Sequence, residues 1–383
     1  MYWTLLYVIL ILISALSFFN KKNERQYSIF SFTIAYFFTI NGYFNGVDWV
    51  NYGVVFQDAK TFEDFLWSFE PLFGVFLFLC KSIFDDFYIS VIVFYTIVFT
   101  LLYVSISQFF LKINRTVFIT LFITINDISI INDQLRQLVA VVLCIYGLNF
   151  IFERKYKYFA IFNLIAGFFH YSAIITLAIY PVILQRKKIV VITGVSICVF
   201  STLLLSIPSI ITSVLSGFGF VGSYIAGKID FYAENSVSKF GFFAIVDICV
   251  MMFYLFNRQP QDVKVAALWS GVFISACSHL SFYSFPVFQR INPYFFIFYC
   301  FLGSYYLNGE LFFKSRRGLF SVAIAVLLSV VCFYKFLADD MRQGFFDYDS
   351  YLVKYAMGEF NFAMEKNKKC IFLSKANAGF CRW

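Results

Sequence analysis

The chain has 383 residues and a formal charge of +8; 61% of its residues are hydrophobic, 23% aromatic and only 14% charged. Soluble domains carry about 25% charged residues, so an ordinary soluble fold is excluded. The basic residues fall in short clusters between apolar runs, with no basic stripe interleaved with aromatics, which argues against a nucleic-acid partner.

The apolar runs approach the roughly 17–25 residues needed to cross a bilayer. They are continuous rather than alternating, which predicts helices and not a β-barrel. Tyr2 to Phe19 is followed by Asn20 and the cluster Lys21-Lys22-Asn-Glu24-Arg25 with no small-residue cleavage site. It therefore reads as a first span and not a signal peptide. Six basic clusters separate the runs: Lys21-Lys22-Arg25, Lys112-Arg115, Arg154-Lys155-Lys157, Arg186-Lys187-Lys188, Arg258 with Lys264, and Lys314-Arg316-Arg317. They hold 16 of the 30 basic residues but four of the 22 acidic ones. Placing all six on the cytoplasmic side satisfies the positive-inside rule.

That demand predicts an all-α polytopic membrane protein of about twelve spans, with both termini outside. The spans fall near 2–19, 27–44, 87–111, 116–131, 135–152, 158–169, 172–184, 189–207, 241–257, 263–280, 291–308 and 318–337. Helices at 158–169 and 172–184 are too short to cross alone. A twelve-residue helix rises only about 18 Å, against a hydrocarbon core of roughly 30 Å. They read as half-helices meeting inside the protein, which a membrane tolerates where they line a cavity. Glu70 to Phe84 is apolar enough to span, but counting it would invert every later cluster. It is predicted to be a re-entrant or interfacial helix near 70–84, with Pro71 in its first turn.

The domain division is a membrane domain over 1–337 and a soluble-looking tail over 338–383. The outer loops are about 45–86, 128–136, around His170, 208–240 and 281–290. Cys370 and Cys381 in the tail form either a hairpin disulfide in an oxidising space or two free thiols. The other seven cysteines lie in or beside apolar runs, where cysteine is a small hydrophobe.

Chemistry concentrates between Gly46 and Phe73, which carry Asp48, Asp58, Glu63, Asp64 and Glu70. Asp58, Glu63 and Asp64 fit a solvated loop. Asp48 and Glu70 are flanked by aromatics or proline and are the candidate general bases, since a carboxylate can take the proton of a reacting hydroxyl. Trp49 and Tyr52 are candidate substrate contacts. Arg136, in Asp133-Gln-Leu-Arg136-Gln137, opens a span, where an unpaired charge is costly. It is either a snorkelling arginine paired to Asp133 or Asp127, or a fork for phosphate oxygens. Arg290 stands at a second such helix start, with His279 eleven residues upstream as a weaker candidate. His170, in Gly167-Phe-Phe-His170-Tyr-Ser172, sits where the two half-helices meet. It is a core histidine, a base or a diphosphate ligand. No P-loop, Gly-x-Ser-x-Gly, Cys-x-x-Cys or helical histidine pair is present, so no cofactor or metal is expected.

Taken in order, Gly46-x-Asp48 with Tyr52, Glu70-Pro-Leu-Phe73, Arg136-Gln137, Phe169-His170-x-Ser172 and late Arg290 resemble the EpsG-type, Wzy-class polymerases of exopolysaccharide and O-antigen. The resemblance covers roughly 40–300; the tail after Ala338 matches no pattern of the family. It implies a multi-pass protein of the bacterial inner membrane with a site facing the periplasm. The implied reaction transfers a growing glycan from undecaprenyl diphosphate to the non-reducing end of a new lipid-linked repeat unit. It also implies membrane lipid, a chain-length regulator and a flippase as partners. Asp48, Glu70 and His170 would be catalytic, Arg136 and Arg290 would bind diphosphate, and Trp49, Tyr52, Gln137 and Ser172 would contact substrate. The alternatives are a related lipid-dependent glycosyltransferase or O-antigen ligase, and a lipid-linked oligosaccharide flippase.

Overall fold

A computed structural model describes residues 2–206, 242–282, 289–308, 316–338 and 349–375, with scattered positions between 212 and 227. Among the described residues every regular element is helical. The expected loops 208–240 and 281–290 lie largely outside the described residues, as do Asp339-Asp340 at the start of the tail. Two compact units are present, one of Met1–Ile174 with Gly303–Trp383 and one of Ile175–Leu302.

In the first unit, α1 (Tyr2–Phe19) buries Trp3, Leu6, Tyr7, Leu10 and Ile13 at helical spacing. Its other face exposes Leu5, Ile11, Leu12 and Leu16. A helix that is apolar all round, with half of it uncovered, needs lipid as solvent. Among the described residues five helices are long and apolar enough to cross a membrane: Tyr2–Phe19, Phe87–Ser107, Leu135–Phe152, Val263–Ser281 and Arg316–Tyr334, with shorter apolar helices in the same chain. The chain is a multi-pass membrane protein.

After α2 (Glu24–Gly42) the chain turns through Tyr43–Asn45 into α3 (Trp49–Asp58), α4 (Phe62–Ser68) and α5 (Pro71–Phe84). Each start has a local cause. Thr61 and Asp64 form a capping box on α4, satisfying two of its orphan N–H groups. Pro71 occupies the first turn of α5, where its missing N–H costs nothing. Lys81 of α5 reaches back and donates to the carbonyls of Phe56, Gln57 and Ala59 at 2.6, 3.0 and 2.8 Å, closing the C-terminal end of α3. α5 buries Phe73, Gly74, Leu77 and Cys80 and exposes Leu79 and Ile83, so residues 71–84 are an amphipathic helix packed on α4 and α6 (Phe87–Ser107).

The predicted span 116–131 is two helices, α7 (Arg115–Ile125) and α8 (Asp127–Asn132). The break falls at Asn126, whose side-chain amide donates to the Phe122 carbonyl at 3.2 Å. α9 (Leu135–Phe152) is the centre of the unit, buried along nearly its whole circumference, and packs on α6 and α10 (Tyr156–Phe169). α10 ends at His170, which has extended backbone. A 3-10 turn over Tyr171–Ile174, α11 (Ile175–Ile179) and a second 3-10 turn over Tyr180–Leu184 follow. The break expected at His170 is thus present.

In the second unit, α14 (Val263–Phe282) packs against both α12 (Lys187–Ser206) and α13 (Phe242–Phe256). α15 (Asn292–Tyr306) runs out of that unit, and α16 (Arg316–Ala338) belongs to the first. The tail contributes α17 (Tyr351–Ala356) and α18 (Phe362–Lys375), and it packs onto the first unit. Phe44 lies against Tyr351 and Phe360, Tyr88 against Tyr355 and Phe360, and Trp49 meets Phe362 edge-on.

Candidate functional site

The Gly46–Phe73 stretch is folded down onto the start of α9, and Asp133 is the anchor. Its Oδ1 accepts the Val47 N–H at 2.6 Å, and its carboxylate also accepts from the backbone of Asp48. A Cβ on Gly46 would lie 2.2 Å from Asp133 Oδ1 and 3.2 Å from the Asn132 carbonyl. Only glycine allows this approach. The Tyr52 hydroxyl donates to the Asp133 carbonyl at 3.4 Å.

Arg136, the second residue of α9, receives the next part of the stretch. Its Nη1 is ion-paired with Glu70 Oε2, its Nε donates to the Tyr52 hydroxyl at 3.4 Å, and its guanidinium lies 5.7 Å from the ring centroids of both Tyr52 and Phe69. Cation–π contact and the ion pair fix the plane of the fork. Glu70 is only 8% exposed, whereas the Arg136 side chain is 26% exposed. The fork therefore keeps an open edge, with donors not consumed by Glu70 or Tyr52.

Two carboxyls, Asp48 and Asp133, stand beside this pair, both half-buried. Burial and the neighbouring Asp48 push Asp133 up to about 7, against the opposing pull of the Val47 and Asp48 N–H groups and of Lys369. Burial likewise raises the Tyr52 phenol, with Arg136 opposing, so Tyr52 stays a donor. The cluster holds a cation with an open edge and, beside Asp48, a carboxyl whose proton affinity is raised by burial and by that neighbour, Asp133. Such a cluster can stabilise an anionic leaving group and accept a proton.

The sequence-predicted residues divide. Asp48, Tyr52, Glu70 and Arg136 come together. Trp49 is fully buried between Phe44 and Phe362, and Gln137 is buried in α9. His170 bonds with Ser172. The Ser172 N–H donates to His170 Nδ1 at 3.3 Å and the Ser172 hydroxyl lies 2.8 Å from the same nitrogen. An Nδ1 that accepts places the ring proton on Nε2. The turn over Tyr171–Ile174, which carries Ser172 directly after His170, packs on α9, the helix of Arg136. Arg290 belongs to the other unit and is exposed, directly after the undescribed residues 283–288. His279 is in that unit as well, its Nδ1 2.5 Å from Asp247 Oδ2.

Arg136 takes Glu70 as its partner rather than Asp133, which with Asp127 was one of the two partners expected of a snorkelling arginine. Asp133 itself was missed as a site residue, although a carboxylate three residues before an arginine at a span start was a usable signal. Lys369 was missed too, and nothing local marks it among the lysines of the tail. Among the described residues no three His, Cys, Asp or Glu side chains are grouped to hold a metal.

A family model described as the EpsG family matches residues 26–350. No curated protein and no solved structure matches the chain.

Proposed function

Because this chain belongs to the EpsG family, a family of Wzy-type polymerases, we propose that it joins glycan repeat units at the surface of the bacterial inner membrane. The family supports a polysaccharide-polymerase role in general. The donor would be a growing glycan on undecaprenyl diphosphate, and the acceptor the non-reducing-end hydroxyl of a new lipid-linked unit. The acceptor oxygen bonds to the donor's anomeric carbon, the bond from that carbon to the diphosphate oxygen breaks, and the acceptor's proton passes to the Asp48/Asp133 pair. The lipid diphosphate leaves with the bonding electrons.

Arg136 would bind the diphosphate through its open edge, where charge builds as the bond breaks. Preorganised donors of this kind contribute about 2.7–4 kcal/mol each. Glu70 orients Arg136, because a carboxylate locked in an ion pair is a poor base. The base is the aspartate pair, in which burial and Asp48 raise the proton affinity of Asp133, the direction that suits a base working near neutral pH. His170 would present its Nε2–H to substrate, and Arg290 would be a second diphosphate ligand. The topology that puts this site in the periplasm is the twelve-span one with the basic clusters inside. The observation that carries the reading is the Arg136–Glu70 pair beside two carboxyls, all within a chain of this family.

The test uses membranes of a strain lacking the protein, in which lipid-linked repeat units accumulate. Adding back wild type should extend them into polymer. Asp48→Asn and Asp133→Asn, at wild-type membrane abundance, should each slow extension at least about 100-fold, the usual scale of general-base loss. Wild-type polymer from both would remove the pair from the reaction.

A further inference from the structure

The family match ends at residue 350, yet residues 349–375 are built into the site. Gly53 of α3 faces the ring of Phe362, which would lie 2.2 Å from a Cβ at that position. Ser350 donates to Asn41 at 2.9 Å and the Leu352 N–H to the same oxygen at 3.1 Å. Tyr355 donates to Asp86 at 2.8 Å. These contacts surround the backbone that carries Asp48, and they bring in one buried cation. Lys369 of α18 is 9% exposed, and its ammonium donates to the Asn45 carbonyl at 2.7 Å, next to Gly46. A buried ammonium is costly unless compensated. Glu365, one helical turn earlier, is the natural i,i+4 partner, but it bonds to Lys354 at 2.7 Å and to the Tyr351 hydroxyl at 3.3 Å. The charge of Lys369 also acts on Asp133, where it favours the ionised carboxylate.

We propose that Lys369 is a positioning residue of this site: the docked C-terminal segment seats one buried ammonium on the Asn45 carbonyl, beside the Gly46–Val47 backbone that packs on Asp133, and its charge biases that carboxyl toward the ionised form. Asp133 is faced by Asp48 from its own loop contact, by Tyr43, Tyr52 and Tyr95, and by Lys369. Lys369 is the cation among them that lies outside the family match. Its charge favours ionised carboxylate, so without it the pair would hold its proton to higher pH. The catalytic part of this inference rests on the polymerase reading; the electrostatic part does not.

The experiment uses the full chain in lipid nanodiscs and dicyclohexylcarbodiimide, which modifies protonated carboxyls. Modification of the peptide containing Asp133 is followed by mass spectrometry from pH 5 to 9. In wild type it should fall with a midpoint near 7. Lys369→Gln keeps a donor to Asn45 and removes the charge; its midpoint should rise by about one unit. Lys369→Arg should restore it. Lys369→Met is the second charge-free variant if Lys369→Gln fails to accumulate. In membranes, the acid limb of polymer extension should move the same way. A charge-free variant that accumulates normally and keeps the wild-type midpoint overturns the inference, whatever polymer it makes. Wild-type membranes that make no polymer overturn the polymerase reading, and the labelling midpoint still decides the role of Lys369.

Discussion

Replacing Arg136 and Glu70 singly and together separates a base from an orienting group. Glu70 is 8% exposed and its carboxylate meets the Arg136 guanidinium. If Glu70 acts only through Arg136, Glu70→Gln loses one charge-assisted hydrogen bond, about 1.5–3 kcal/mol, or roughly 10- to 150-fold in rate. Arg136→Ala loses the leaving-group donor, about 2.7–4 kcal/mol, or roughly 100- to 1,000-fold. The double variant should be no worse than Arg136→Ala, because orienting an absent arginine is worth nothing. The coupling energy is then the whole Glu70 effect, at least about 1.5 kcal/mol, where independent sites add within about 0.5 kcal/mol. The rate of polymer extension in membranes, normalised to protein abundance, measures it. Abundance is itself informative: Arg136→Ala leaves a buried carboxylate without its cation, which costs about 3–5 kcal/mol in a fully buried pair and less here because the arginine is partly solvated. Additive losses, with the double variant slower than Arg136→Ala by the full Glu70 factor, would refute the orienting role and return Glu70 to the chemistry.

Four further outcomes follow from the structure. Extension should rise with pH through about 7, as Asp133 gives up its proton, and Asp133→Asn should abolish that limb. The same raised affinity means that stability from the Asp133 proton is fully present below about pH 4, the unfolded value, and is lost as pH rises through about 7. Detergent-solubilised wild type should therefore lose more thermal stability than Asp133→Asn between those limits, and parallel curves would contradict it. Gly46→Ala forces a Cβ to within 2.2 Å of Asp133 Oδ1, and it should remove polymer while the protein still inserts; normal chain lengths would show that the loop contact is dispensable. Cys370 is disulfide-bonded, so it should resist thiol labelling until reductant is added, and labelling without reductant would contradict the cross-link.

Much of the fold was legible because a bilayer reduces it to a length and a composition. α9 begins and ends where its apolar run does, at Leu135 and Phe152, and the break at His170 shows in two runs too short to cross. The split at Asn126 was not legible, because one asparagine in a long apolar run is compatible with a continuous helix. The site was half legible. Arg136 and Glu70 each stand out as charges that need an explanation, but an isolated charge declares only that it has a partner. Which partner depends on folding the stretch back onto α9, and the requirement for glycine at 46 is visible only once Asp133 is beside it. The tail was opaque for the same reason: Lys369 meets Asn45 across 324 positions, and one lysine in Lys366-Asn-Lys-Lys369 looks like the others until α18 is docked. Cys381, the other cysteine of the tail, lies outside the described residues.

The most direct measurement is the surface polysaccharide of the host after deletion of the gene, resolved by length on a gel. The account predicts collapse of the chains to a single repeat unit, restored by wild type and not by Arg136→Ala. Unchanged chain lengths, or disappearance of the single-unit band along with the polymer, would contradict it; the second result would assign the lost step to flipping or ligation instead.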